Sequence, residues 1–171
     1  ALANSWNAPA VAVAARLGTG PLLARLREAG FRSLDGPAER YGLGLTLGDG
    51  EVTLLEQVTA YACLARGGLY RERIDLLAAR DAGGARLGSA AAAAGAGPRR
   101  VFDPRAAFLV QSILSDPEAR ARAFGRDGAF AFPFPVALKT GTSSDWRDNW
   151  ALGFTPEWTV GAWLGQAGGA P

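Results

Sequence analysis

Apolar and polar positions along this chain follow two different rhythms, and the change between them divides it. From Ala1 to about Phe124 the apolar residues recur every three or four positions, the spacing of helices that bury one face. Val11, Val13, Ala14 and Leu17 mark a first helix, with Pro9 in its opening turn and Gly18 as its stop. Leu22, Leu23, Leu26 and Ala29 mark a second, capped by Thr19 or Gly20 and ended by Gly30. Thr53-Leu54-Leu55-Glu56 reads as a capping box, in which threonine accepts a first-turn amide and glutamate reaches back. The helix it opens runs through Val58, Tyr61, Ala62 and Leu64 to Gly67-Gly68. It carries almost no charge between Glu56 and Arg66, so it is expected to be the most buried helix. Asp103-Pro104 starts a fourth helix, with Ala107, Phe108, Val110, Ile113 and Leu114 as its apolar face. Asp116-Pro117-Glu118 starts a shorter fifth helix that reaches about Phe124.

Beyond Pro133 and Pro135 the pattern becomes that of strands. Val136 to Leu138 is an apolar run that ends in Lys139-Thr140-Gly141-Thr142-Ser143. Ser144 to Asp148 is a polar turn, Trp150 to Phe154 a second strand, Thr155-Pro156-Glu157 a turn, and Trp158 to Gly165 a third strand. Short turns between consecutive strands predict an antiparallel meander. The fold class is therefore α+β, helices followed by a three-stranded antiparallel meander, and not alternating βαβ units.

Two stretches are weakly patterned. Arg32 to Gly50 is rich in turn residues, and Tyr41 to Gly48 reads as an extended, structured loop. Its glycines lack the preceding strand and following lysine of a phosphate-binding loop. In Leu69 to Arg100, Ile74, Leu76 and Leu77 suggest a short strand. Ala82 to Gly97 is alanine- and glycine-rich, either a hairpin arm or a connection.

Composition narrows the chemistry. The length of 171 residues suits about one domain, and 49% apolar with 20% charged residues predicts a packed core. The net charge is only +2 and the arginines are scattered, so no nucleic-acid footprint is expected. No apolar run is long enough to span a membrane, and no signal peptide is present. The chain holds no methionine and is read as an internal piece of a longer protein. Without histidine there is no Ser-His-Asp or Cys-His catalysis and no histidine metal site. The one cysteine, Cys63, lies among alanines and a leucine and reads as a small buried apolar residue.

Lys139 is the only lysine, and all other members of the 18 Lys+Arg total are arginine. A chain that otherwise uses arginine marks this position as one that needs an ammonium, a compact charge with rotatable donors. One cation, two hydroxyls and a glycine meet there at a strand end. Upstream, Ser5-Trp6-Asn7 places another hydroxyl and an amide together. Taken alone, Ser5 and Asn7 read as helix-capping residues.

Ser-x-Asn upstream, with Lys-Thr-Gly-Thr on a later strand, resembles the motif set of the penicillin-binding protein transpeptidases and their serine β-lactamase relatives. The resemblance extends over nearly the whole chain. It includes Asn4 to Val11, Ala65 to Gly68, Ile113 to Pro117, Pro133 to Ser143, Arg147 to Trp150 and Gly153 to Pro156. The branch resembled is the bifunctional class A type of the 1C group.

The resemblance implies a β-lactamase/transpeptidase-like fold, an incomplete domain here, with 1–171 as the C-terminal part of a transpeptidase domain. It implies cross-linking of peptidoglycan stem peptides through a serine acyl-enzyme that penicillin also forms. The substrate ends in D-Ala-D-Ala and presents a free carboxylate. Lys139 would supply charge to it, and the Thr140 and Thr142 hydroxyls would donate to its oxygens. Gly141 would let the acyl donor lie along the strand, and Ser143 would complete the binding edge. The Thr142 backbone N–H would form half of an oxyanion hole. Ser5 would relay a proton, and Asn7 would hold a substrate amide. Implied partners are the stem peptides, their lipid-linked precursor and β-lactam antibiotics. The implied setting is the periplasmic face of the inner membrane, with the anchor in a preceding part of the protein. No cofactor is implied. Arg147, Asp148 and Trp146, which follow the motif, read either as an edge of the cleft or as a solvated turn with one salt bridge.

One departure is decisive. A Ser-x-x-Lys nucleophile needs a serine three residues before a lysine, and Val136 stands there before the sole lysine. The nucleophile is therefore expected upstream of this sequence, and the 171-residue chain alone is expected not to turn over substrate. Two other readings share the residues: a serine β-lactamase or DD-carboxypeptidase with water as acceptor, and a non-catalytic module that binds peptidoglycan or a protein.

Overall fold

Helices form first along the chain and the sheet follows, as the periodicity predicts. The computed structural model describes residues 1–89, 97–143 and 147–166. A short 3-10 helix, Leu2–Asn4, leads into α1 (Asn7–Leu17), α2 (Thr19–Glu28), one-turn α3 (Ala38–Tyr41), α4 (Leu54–Ala65), α5 (Pro104–Ser115) and α6 (Pro117–Phe124). The strands are β1 (Leu69–Tyr70), β2 (Ala78–Arg80), β3 (Arg86–Ser89), β4 (Arg99–Arg100), β5 (Ala137–Thr142), β6 (Asp148–Phe154) and β7 (Thr159–Gly165). β5, β6 and β7 form the expected antiparallel meander in that order, while β1–β4 and β2–β3 form two small antiparallel pairs.

The caps explain where the helices start. Thr53 Oγ1 accepts the Glu56 N–H, and the Glu56 carboxylate accepts the Thr53 N–H at 2.9 Å, so the capping box is complete. Asp103 and Asp116 cap α5 and α6, each followed by proline at the first helical position. The cap of α2 differs from expectation. Gly18 takes that position, because its φ of 83° lets one residue close α1 and open α2.

Every residue of α4 except Leu55 is at least partly covered, as its lack of charge predicts. It is the hub between two cores. One gathers Leu23, Phe31, Leu34, Leu45 and Tyr70 around the fully buried Cys63. The other joins Leu114, Ala137 and Phe154 beneath Tyr61, Leu64 and Val110. α4 meets the sheet closely because Gly161 of β7 has no side chain. A Cβ there would sit 2.5 Å from Val58 Cγ2.

Two expectations need correction. Tyr41 to Gly48 is not extended; it holds the end of α3 and a 3-10 helix, Gly42–Thr46. Coiling this stretch buries Leu45 and packs Tyr41 and Ala38 against the core, which a solvated loop would not do. Ile74, Leu76 and Leu77 form no strand and are 49%, 57% and 74% exposed. Pairing begins instead at Ala78, where β2 and β3 make a hairpin arm. Its turn is held by Asp81, whose Oδ1 accepts the Gly83 and Ala85 N–H groups at 2.9 Å. The arm runs through part of the 82–97 stretch; 90–96 lie outside the described residues.

Candidate active site

Strand alternation decides which way the β5 side chains point. Lys139 pairs with Leu152, which pairs with Gly161, so this row shares the face on which α4 packs. Ala137 and Gly141 share that face, while Thr140 and Thr142 take the other. β5 pairs with β6 alone among the described residues, so its second edge is free.

The upstream half of the site is a turn. Leu2–Asn4 makes one 3-10 turn, and the Ser5 N–H donates to the Leu2 carbonyl. Ser5 has φ 56° and ψ 38°, a left-handed conformation shared by no other non-glycine residue among those described. L-residues with a Cβ avoid this region, which costs of order 1–3 kcal/mol and persists where surroundings enforce it. The conformation turns Ser5 toward β5. Lys139 Nζ donates to Ser5 Oγ at 2.7 Å across 134 sequence positions. The same ammonium donates to the Thr140 carbonyl. Burial pushes Lys139 below its ordinary 10.5. No carboxylate ion-pairs with it among the described residues. A cation with a lowered pKa against an alcohol is suited to holding an anion and to passing protons.

Neither Ser5 nor Asn7 caps α1. Trp6 occupies the N-cap, and no side chain bonds there, so the capping reading of these two residues is corrected. Asn7 opens α1 with its side chain exposed and makes no hydrogen bond to Ser5 or Lys139 among the described residues. Gly141 is not demanded by packing. A Cβ there would meet only Trp150 Cβ, at an ordinary 3.7 Å. Thr140 and Thr142 border an open cleft of about 430 Å³ with Asn149, Phe124, Phe130 and Leu164. Ser143 is turned elsewhere: its Oγ donates to Asp148 Oδ2 at 3.0 Å and accepts the Asp148 N–H at 2.9 Å, closing the β5–β6 hairpin. Asp148 also accepts Trp163 Nε1–H at 2.9 Å, so it is a structural anchor, not a solvated turn residue. Trp146 and the rest of 144–146 lie outside the described residues.

The sequence reading missed the residues around the turn. Asn4 Nδ2 donates to the Ala119 carbonyl at 2.8 Å. The Arg122 guanidinium lies over the Trp6 ring at 5.6 Å. Arg120 is 6% exposed and donates to the Leu114 and Val136 carbonyls, which ties α6 to the lead-in of β5. None of these has a local signal, since each links distant parts of the chain.

No protein-family model matches the chain. Penicillin-binding protein 1A of Neisseria meningitidis serogroup A is 33% identical over 168 residues, covering 96% of this chain and 20% of the relative. Penicillin-binding protein 1C of Escherichia coli K12 is 31% identical over 175 residues, covering all of this chain and 20% of the relative. The chain is similar to both relatives over nearly its whole length. The solved imipenem acyl-enzyme complex of penicillin-binding protein A from M. tuberculosis superposes with a TM-score of 0.72 at 20% identity, over 99% of this chain and 42% of that one. This likeness gives the fold, that of penicillin-binding protein transpeptidase domains. Relatives of both the 1A and 1C types match at nearly equal identity, and the chain spans about a fifth of their length. No helix among the described residues is long and apolar enough to cross a membrane.

Proposed function

We propose that this chain is the C-terminal part of a peptidoglycan DD-transpeptidase domain. Its full protein acylates a serine with a stem peptide, releases D-alanine, and passes the acyl group to an amine of another strand. The nucleophile belongs to a Ser-x-x-Lys segment upstream of Ala1. The observation that carries this reading is the 2.7 Å contact between Lys139 Nζ and Ser5 Oγ, which unites the two motifs of the family present in this sequence.

A peptide ending in D-Ala-D-Ala lies along the free edge of β5. The Lys139 ammonium holds its carboxylate, while the Thr140 and Thr142 side chains leave the opposite face of β5 and border the cleft beside it. With no side chain at Gly141, the peptide backbone approaches as an added strand. The Thr142 N–H and the nucleophile's own N–H receive the oxyanion of the tetrahedral intermediate. As that intermediate collapses, the peptide bond breaks. The proton given up by the nucleophile reaches the departing D-alanine amine through Ser5, whose hydroxyl the Lys139 ammonium holds in place. The acceptor amine then attacks the acyl-enzyme, and the same relay runs in reverse. Asn7 and Ser143 stand apart from this relay; the first remains available to a substrate amide, the second to the hairpin.

A fluorescent penicillin tests the reading. The full-length protein is expected to carry a covalent label, and the 171-residue chain alone none. Labelling of the short chain would place the nucleophile within it, and an unlabelled full-length protein would overturn the reading.

A further inference from the structure

Ser5 lies in a conformation that serine does not choose on its own, so something must hold it. The grip comes from α6. Asn4 Nδ2 donates to Ala119 O at 2.8 Å, and Arg122 lies over the Trp6 ring, so the residues on both sides of Ser5 are fastened to this one short helix. The residue between those two contacts, Arg120, donates to Val136 O at 3.2 Å, one residue before β5 begins. Three contacts within one turn of α6 thus connect the Ser5 turn to the strand that carries Lys139.

Asn4 is the contact whose chemistry is hard to explain as packing. Its Oδ1 is buried without a hydrogen-bond partner among the described residues. A buried unpaired carbonyl oxygen is a penalty that an apolar residue at position 4 would not incur. The amide is kept for its other end.

We infer that Asn4 is a positioning residue: by pinning the Leu2–Asn4 turn to α6 it enforces the left-handed Ser5 backbone and sets Ser5 Oγ against Lys139 Nζ. This rests on the transpeptidase reading and adds to it the residue through which the proton relay is aimed. Asn4 touches neither reacting atom, so its effect passes through Ser5 alone.

The test is a cycle in the full-length protein, read as the second-order rate of acylation by a fluorescent penicillin. The four forms are wild type, Asn4→Ala, Ser5→Ala and the double variant. Asn4→Ala is expected to slow acylation between about 10- and 100-fold, the scale of a misplaced catalytic group. In the Ser5→Ala background the same change is expected to cost less than about 2-fold, because the group it aims is gone. A structural role would slow both backgrounds by the same factor, and that result, or no effect of Asn4→Ala on wild type, would overturn the proposal while leaving the function standing. If wild type is not acylated at all, the transpeptidase reading falls and this proposal with it. Melting curves accompany each form, and Asn4→Ser replaces Asn4→Ala should the latter melt below the assay temperature. Unfolding of both would assign Asn4 a structural role and overturn the proposal.

Discussion

Gly161 on β7 and Gly141 on β5 face the same side of one sheet, yet they answer to different forces. At Gly161 a Cβ would collide with Val58 and Leu54 of α4, so the helix seat requires glycine. At Gly141 a Cβ would touch one atom at an ordinary distance, and nothing in the fold requires glycine. The sheet is closed where Gly161 seats α4, although most of β7 is exposed. It is open at the Lys139–Thr142 end of β5, past the buried Ala137 and Leu138, and the costs found there are a desolvated ammonium and a left-handed serine. Groups that serve packing and groups kept in spite of it are thus separated by the width of three strands.

That contrast is broken most directly at Lys139. Lys139→Ala in the full-length protein is expected to slow penicillin acylation by at least about 10²-fold, the effect of losing one fixed electrostatic group in a site. Its melting temperature is expected to hold or rise, because the change removes a half-buried charge that no carboxylate offsets among the described residues. Lys139→Arg is not expected to rescue the rate, since a planar fork replaces a point charge. A rate within a few-fold of wild type for either variant would show that the open side is not functional.

The glycine pair gives the next effects. Gly161→Ala is expected to cost about 1–3 kcal/mol in denaturant unfolding, because Val58 or the backbone must give way. Gly141→Ala is expected to leave stability within about 0.5 kcal/mol, the range of substitutions that break no packing. It is expected to slow acylation about tenfold by displacing the peptide from the strand. If both variants lose equal stability, the two sides of the sheet do not differ as argued.

The closed side was far more legible in the sequence than the open one. Thr53-x-x-Glu56, Asp103-Pro104 and Asp116-Pro117 announce three helices through local chemistry, and each cap is present. Alternation and turns likewise announced three strands. The 3-10 helix at Gly42–Thr46 was missed because its glycines argue locally for a loop, while the burial of Leu45 against distant residues decides otherwise. At the site, Lys139 and Ser5 stood out as residue types, but their 2.7 Å contact spans 134 positions, over which no spacing rule operates. Ser143 shows the limit from the other direction. A hydroxyl beside a motif looks available, and only the fold reveals that Asp148 has taken it.

The smallest effects are those of pH, and they divide along the same line. Glu56 stands at the start of α4. Its partial burial acts to raise the carboxyl, but the Thr53 N–H, the Ser33 hydroxyl and N–H, and the Thr53 hydroxyl outweigh that and lower it from 4.5 to about 2. A depressed carboxyl contributes stability that is complete above pH 4.5 and is lost as pH falls toward about 2. Because this carboxylate is well solvated, the loss is expected to be under about 1 kcal/mol. Glu56→Gln should flatten the acid limb of the unfolding curve over that window. Lys139 shifts stability with pH in the same direction but for the opposite reason, since burial disfavours its charged form. Its lowered value means that, from there up to 10.5, the unfolded chain binds more protons than the folded one, so its contribution to stability rises with pH. Tyr61, raised by burial to about 12, opposes this above pH 10, where the unfolded phenol ionises first. Subtracting the Lys139→Ala curve from wild type cancels the tyrosine and isolates the lysine. A difference that falls with rising pH over this range would mean that Lys139 is stabilised as a cation by its surroundings, and the open side would then be another product of packing.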